Sequence, residues 1–153
     1  MKTLNLPKYQ FRLQKNSDGK TEIFDAIRKR FYILTPEEWV RQNFIQYLIH
    51  EKQFPASLMS IEKGLKLNGM TKRTDIVQYN REGQPKLIVE CKAPSIKLSQ
   101  DTFDQAARYN LTLQVDYLII TNGLEHYACK MNYANHKIHF LKELPNFESL
   151  NNE

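Results

Sequence analysis

The sequence has 153 residues, 22 Lys and Arg against 17 Asp and Glu, a net charge of +5 and 41% hydrophobic residues. Those values fit one globular domain that buries a core without disulfides or metals. They exclude a disordered chain and a chain holding several catalytic modules. No run approaches the roughly 18 apolar residues of a membrane span, and MKTLNLPKYQFRLQK lacks the apolar region of a secretory signal, so no membrane partner is expected.

Cys91 and Cys129 belong to no CxxC and cannot build a disulfide framework or a cysteine zinc site, so reduced thiols and a cytoplasmic setting are expected. The basic balance inclines weakly toward polyanionic partners.

Weak alternation from Lys8 to Leu13 predicts a short strand, Asn16-Ser17-Asp18-Gly19 a turn, and Phe31-Tyr32-Ile33-Leu34 a β-like run. Thr35-Pro36-Glu37-Glu38 combines a good N-cap, a proline suited to the first helical position and early acidic residues. It predicts a helix to about Glu51 with Val40, Phe44, Tyr47 and Leu48 as its apolar stripe. Leu58 to Leu67 is expected as a strand, Asn68-Gly69 as a turn and Arg73 to Tyr79 as a strand. Asn80 to Pro85 is expected as a turn, and Lys86 to Lys92 as a central, buried strand.

Ser99 is expected to cap a second helix to Asn110, with Phe103, Ala106, Ala107 and Asn110 on one side. Val115 to Thr121 reads as a buried strand, Asn122-Gly123 as a two-residue hairpin turn, and Leu124 to Met131 as the returning strand. Lys137 to Leu141 would add an edge strand, and residues 145–153 read as a loose tail. This order predicts an α/β fold with a mixed central sheet.

A hairpin symmetric about Glu82 and Gly83 pairs residues whose numbers sum to 165 and sets Asp75 opposite Glu90. Directly opposed side chains have Cβ atoms about 5 Å apart. Lys92, two residues past Glu90, points to the same face. Two carboxylates so close resist joint ionisation unless a cation sits between them. Such a pair suits Mg²⁺ or Mn²⁺, which accept a couple of carboxylates plus waters. The set fits metal-assisted phosphodiester hydrolysis. Any one of these residues alone is more often part of a solvated face, but charges on a central strand need a reason.

Asp75, then Val89-Glu90-Cys91-Lys92 after a short hairpin, resembles the PD-(D/E)xK nuclease signature. Gln105-Ala106-Ala107-Arg108-Tyr109 resembles the QxxxY motif of one branch of that superfamily. With the Pro36-Glu37-Glu38-Trp39-Val40-Arg41-Gln42 helix, the chain from about Thr35 to Met131 resembles the N-terminal domain of type I restriction enzyme R proteins. The ExK pair alone is a weak signal, but a helix glutamate, Asp, ExK and QxxxY in this order are fairly specific.

The resemblance implies a restriction-endonuclease-like fold, a mixed sheet flanked by the two helices, that cleaves DNA with Mg²⁺ or Mn²⁺. Asp75, Glu90 and the Cys91 backbone carbonyl would hold the metal, and Lys92 would position the water. Gln105 and Tyr109, at i and i+4 on one helix face, would line the site or touch the nucleic acid.

A first-helix glutamate would complete the acidic cluster. Glu37 is favoured over Glu38, because it lies three residues before Val40 and seven before Phe44 on the inward stripe. Charge complementation at the helix start explains Glu37 nearly as well. Lys72 and Arg73 are candidate phosphate contacts, equally plausible as a solvated turn. His136 and His139 would face opposite sides of a strand, and Trp39 and Phe44 are expected in the core.

The expected organisation is an N-terminal segment at 1–34, the nuclease-like domain at 35–144 and a tail at 145–153. No GxxxxGK[ST] occurs, so no ATP binding by this chain is expected. The domain is either a stand-alone nuclease-like protein or one piece of a larger assembly with other restriction-system subunits. DNA is the expected partner, with RNA an open alternative. The competing function is a DNA-binding or assembly module that keeps the fold with little activity.

Overall fold

In a computed structural model, which describes residues 1–62, 64–67 and 70–151 and the side chains of 1–62 and 74–151, the first helix begins where the cap signal puts it. Helix α1 spans Pro36–Glu51, and Thr35 Oγ1 accepts the Glu38 N–H at 3.0 Å. Before it, β1 (Leu13–Lys15), β2 (Thr21–Asp25) and β3 (Arg30–Ile33) form an antiparallel three-stranded sheet. The alternation at Lys8 to Leu13 is not a strand; β1 starts only at Leu13. Asn16 shapes the next turn, its Oδ1 accepting the N–H groups of Asp18 and Lys20.

The remaining strands are β4 (Met59–Ile61), β5 (Gly64–Leu67), β6 (Met70–Arg73), β7 (Ile76–Tyr79), β8 (Pro85–Cys91), β9 (Tyr117–Thr121), β10 (His126–Asn132) and β11 (Lys137–Leu141), with helix α2 at Gln100–Leu113. Six of them form a mixed sheet in the order β11-β10-β9-β8-β7-β4, and β5 pairs with β6 in a separate hairpin. Strands β8 and β9 run parallel, with α2 as their crossover, while the other neighbours are antiparallel.

The expected strand from Leu58 to Leu67 is broken. Ala56–Leu58 is a 3-10 turn, and Glu62 sits at φ 51° between β4 and β5. The run from Arg73 to Tyr79 is likewise interrupted at Thr74 and Asp75. Asn68 and Gly69 lie outside the described residues.

Strand β8 is central, and Leu87, Ile88 and Val89 are all fully buried, as a strand covered on both faces requires. Leu87, Val89, Tyr117 and Ile119 pack with Val40, Phe44, Ile45 and Leu48 of α1. Ile88, Leu118, Ile120 and Cys129 pack with Phe103, Ala106 and Ala107 of α2. Burying one such side chain contributes about 1.5–3 kcal/mol. Asn110 ties the end of α2 to the sheet, its Nδ2 donating to the carbonyls of Val115 and Tyr117 at 3.2 and 3.1 Å.

Two further expectations need correction. Residues 145–151 are not a loose tail: Phe147–Leu150 form a 3-10 turn whose Phe147 and Leu150 are buried, and Phe147 packs edge-on against Phe54. The two-residue turn is displaced by one position. Gly123, at φ 86°, and Leu124 are its central residues, while Asn122 Oδ1 accepts the N–H groups of Leu124 and Glu125. Glycine at the first central position suits a type II′ turn. The N-terminal segment crosses it closely, with the Asn5 N–H donating to the Gly123 carbonyl at 2.8 Å.

His126 joins this crossing to the sheet. Its Nε2 is 3.0 Å from the Asn5 carbonyl and its Nδ1 2.6 Å from Thr121 Oγ1, which itself accepts the Gly123 N–H. A carbonyl only accepts, so Nε2 carries the proton and neutral Nδ1 accepts from Thr121. Burial, partly offset by the Asn5 bond and by Glu125, lowers its pKa from 6.5. The unfolded chain then binds the proton first, and stability falls as pH drops through 6.5 toward the lower native value. Urea unfolding at stepped pH should show this loss in wild type and less of it in His126→Asn. Equal pH profiles would remove His126 as the cause.

Candidate active site

The register around the β7–β8 hairpin follows the expected arithmetic. Ile76 pairs with Val89, Val77 with Ile88 and Gln78 with Leu87, before a bulge shifts Tyr79 to Pro85. The pairing stops at Ile76, and Asp75, in the interruption before β7, stands outside the observed register. Glu90 shares a sheet face with Ile88, the α2 face. Lys92 lies just past β8, its N–H donating to the Thr121 carbonyl at 2.8 Å.

Glu90, Lys92, Thr102, Gln105, Ala106, Tyr109 and Ile120 line one cleft of about 170 Å³. The QxxxY residues of α2 therefore stand over Glu90 of β8 and Lys92 just past it. Phe103, Ala107 and Asn110 pack inward, whereas Ala106 also reaches the cleft. Among the described residues, Lys92 has no carboxylate within ion-pair distance.

Asp75 belongs to a second, adjoining group. Its Oδ2 accepts the Cys91 N–H at 2.8 Å, between Glu90 and Lys92 in the chain, and its Oδ1 meets Arg41 Nη2 at 2.8 Å. Arg41 also contacts Glu37 at 3.3 Å, Glu38 at 2.6 Å and Glu62 at 3.1 Å. Arg28 bridges Asp25 at 2.6 Å and Glu38 at 3.1 Å, and Gln42 Nε2 donates to both at 2.9 Å. Among the described residues, five carboxylates thus meet two guanidinium groups. Burial alone would lower the pKa of Arg41, but the Asp75 bond and the charges of Glu38 and Asp75 raise it.

Sequence reasoning did not single out Arg41. Its signal was present in Glu37-Glu38 followed by Arg41 at i+4 and i+3, the helical ion-pair spacing.

The inward placement of Glu37 is overturned. The Glu38 side chain is 7% exposed and that of Glu37 48%. The first turns of α1 face a polar network, so the apolar stripe does not report which glutamate is buried. Glu37 still borders the site, because Asp75, Arg41, Lys92 and Glu62 all act on its charge. Burial, then Asp75, raises its pKa, with Arg41 and Lys92 opposing. The side chains of Lys72 and Arg73 lie outside the described residues.

Neither cysteine is a nucleophile: burial pushes the Cys91 thiol far up and the Cys129 thiol up to about 12, so both remain protonated at neutral pH. Among the described residues, no three His, Cys, Asp or Glu side chains gather as a metal-holding group. A Mg²⁺ site needs less, one or two carboxylates with waters and substrate oxygens. Asp75, Glu90 and the Cys91 carbonyl are a donor set of that kind.

The chain matches the family model for the type I restriction enzyme R protein N terminus (HSDR_N) over residues 36–145. No curated protein matches it. Among solved structures it is similar to a fragment described as an HsdR subunit of a type I restriction enzyme from Vibrio vulnificus YJ016, with a TM-score of 0.55 and 19% identity. That alignment covers 76% of this chain and 24% of the other, so this chain spans about a quarter of that relative's length, and at such identity the likeness bears on fold alone.

Proposed function

The chain belongs to the type I restriction enzyme R protein N-terminal family, and on that premise we propose that it is a metal-dependent nuclease domain that hydrolyses DNA phosphodiester bonds. The observation that carries this reading is the cleft in which Glu90, Lys92, Gln105 and Tyr109 meet, with Asp75 bonded to the backbone of Cys91 beside it.

Asp75, Glu90 and the Cys91 carbonyl would hold Mg²⁺ or Mn²⁺, which supplies an activated water and neutralises charge on phosphorus when bound. Lys92 orients that water and stabilises charge developing on the phosphate. Gln105 and Tyr109 hold the phosphodiester from the α2 side. Glu37 adds to the negative field at the rim. Lys72 and Arg73 remain candidate phosphate contacts. No helix of the described chain is long and apolar enough to cross a membrane. The reading places the domain with DNA in the cytoplasm, beside other restriction-system subunits, without binding ATP itself.

Metal binding tests it. Titration of Mn²⁺ by calorimetry should show a weak to moderate site in wild type that is lost in Asp75→Asn and in Glu90→Gln. Single- and double-stranded DNA should be cut only with Mg²⁺ or Mn²⁺ present. Equal metal binding by all three proteins would make the carboxylates an ordinary ion-pair cluster.

One observation favours a second reading. Both oxygens of Asp75 already have partners, Arg41 and the Cys91 N–H. An arginine in the place of a metal suits a binding or assembly module with little activity. DNA binding without metal-dependent turnover would establish it.

A further inference from the structure

Resting on the nuclease reading, we propose that the α2 face of the sheet carries an aromatic subsite beside the phosphodiester cleft that takes nucleobases unpaired next to the bond to be cut. Glu90 pairs with Ile120 on β9, and Ile120 pairs with Tyr127 on β10. The three side chains form one row on one face, running from the carboxylate across an isoleucine to a phenol. Two strand spacings separate the ends of the row, about 10 Å.

A second hollow of about 290 Å³ lies there, lined by Leu98, Phe103, Ile120, Tyr127 and Phe140 among others. It shares Thr102 and Ile120 with the cleft of Glu90 and Lys92, so the two are continuous.

The distribution of exposed rings selects the occupant. Tyr109, Tyr127 and Phe140 are 36%, 42% and 60% exposed, and they are the exposed aromatic residues among the described residues. Each lines one of these two hollows. Phe140 is held by the buried ring of Phe103, with centroids 4.8 Å apart. Tyr127 donates its hydroxyl to Glu125 at 2.7 Å, which restrains the half-exposed ring. Preset rings beside a phosphate-handling cleft are what base stacking requires, and stacking tolerates any sequence because every base has a π-face. Base-paired stretches keep their bases stacked on each other, so the subsite takes bases only where a strand is unpaired.

Two fluorescent twelve-nucleotide strands of equal charge test this in EDTA, one of thymidines and one abasic throughout. Wild type should bind the thymidine strand more tightly. Phe140→Ala should lose about 5- to 150-fold on that strand and little on the abasic one, at an unchanged salt slope. Tyr127→Ala serves if the first variant folds poorly, and Phe140→Trp should keep the preference. Equal wild-type affinity for both strands overturns the proposal, as does a preference that survives both alanine variants. The exposed rings would then face a protein neighbour. Metal-dependent cleavage is read separately. Cutting without base preference sinks only the subsite, and base preference without cutting sinks only the nuclease reading.

Discussion

Lys92→Ala should abolish metal-dependent DNA cleavage and leave most DNA affinity intact. The ammonium stands beside Glu90 in the cleft, without a carboxylate partner among the described residues, so it is available to a water and a phosphate. Removing one donor aimed at developing charge costs ~10²–10³ in rate. Affinity rests instead on several Lys and Arg contacts to phosphates and should weaken steeply with added salt in both proteins. Single-turnover rates and binding isotherms across a salt series separate the two effects. A wild type that binds with that salt dependence but turns over no faster than Lys92→Ala in either metal would transfer the domain to the binding-module class.

Arg41→Ala should be among the most destabilising single changes in the chain. The side chain is buried and contacts four carboxylates, of which Glu38 is buried and Asp75 largely so. Truncation leaves those charges without their cation, and breaking a buried pair in this way costs about 3–5 kcal/mol. With a urea slope of about 2 kcal/mol per M, the midpoint should drop by about 2 M. Arg41→Lys should recover only part, because Nη1 meets Glu38 and Glu62 while Nη2 meets Glu37 and Asp75, and one ammonium cannot reproduce that fork. Combining Arg41→Ala with Asp75→Asn should cost less than the sum of the two. A midpoint within 0.3 M of wild type, about 0.6 kcal/mol at that slope, would show that the network contributes little.

These residues also mark where the sequence was legible. Helix α1 could be bounded because Thr35-Pro36 is a local signal with a local cause. The pairs from Gln78–Leu87 to Ile76–Val89 match the expected arithmetic because the bulge at Gln78 and Tyr79 shifts by one residue the register that the turn sets at Tyr79–Pro85, whereas the step of Asp75 out of the strand was not legible. Glu38 was misread because an apolar stripe predicts apolar burial, and this part of α1 buries Glu38, Arg41, Gln42 and Asn43. Their partners Asp25, Arg28 and Asp75 come from distant segments that periodicity does not see. The tail was misread for a related reason. Phe147 and Leu150, three residues apart, were a packing signal too short to weigh against the polar residues around them. The break after Ile61 depends on a left-handed Glu62, which residue type does not announce.

Asp25 and Arg28 carry one more consequence. They come from the three-stranded sheet ahead of α1, outside the stretch that matches the family, yet they complete the ion pairs around Glu38. At the other end, Phe147 and Leu150 close the core beyond residue 145. The stretch by which kinship is recognised is therefore shorter than the stretch that folds. A chain trimmed to residues 36–145 would leave Glu38 without Arg28 and the core without the plug of Phe147 and Leu150.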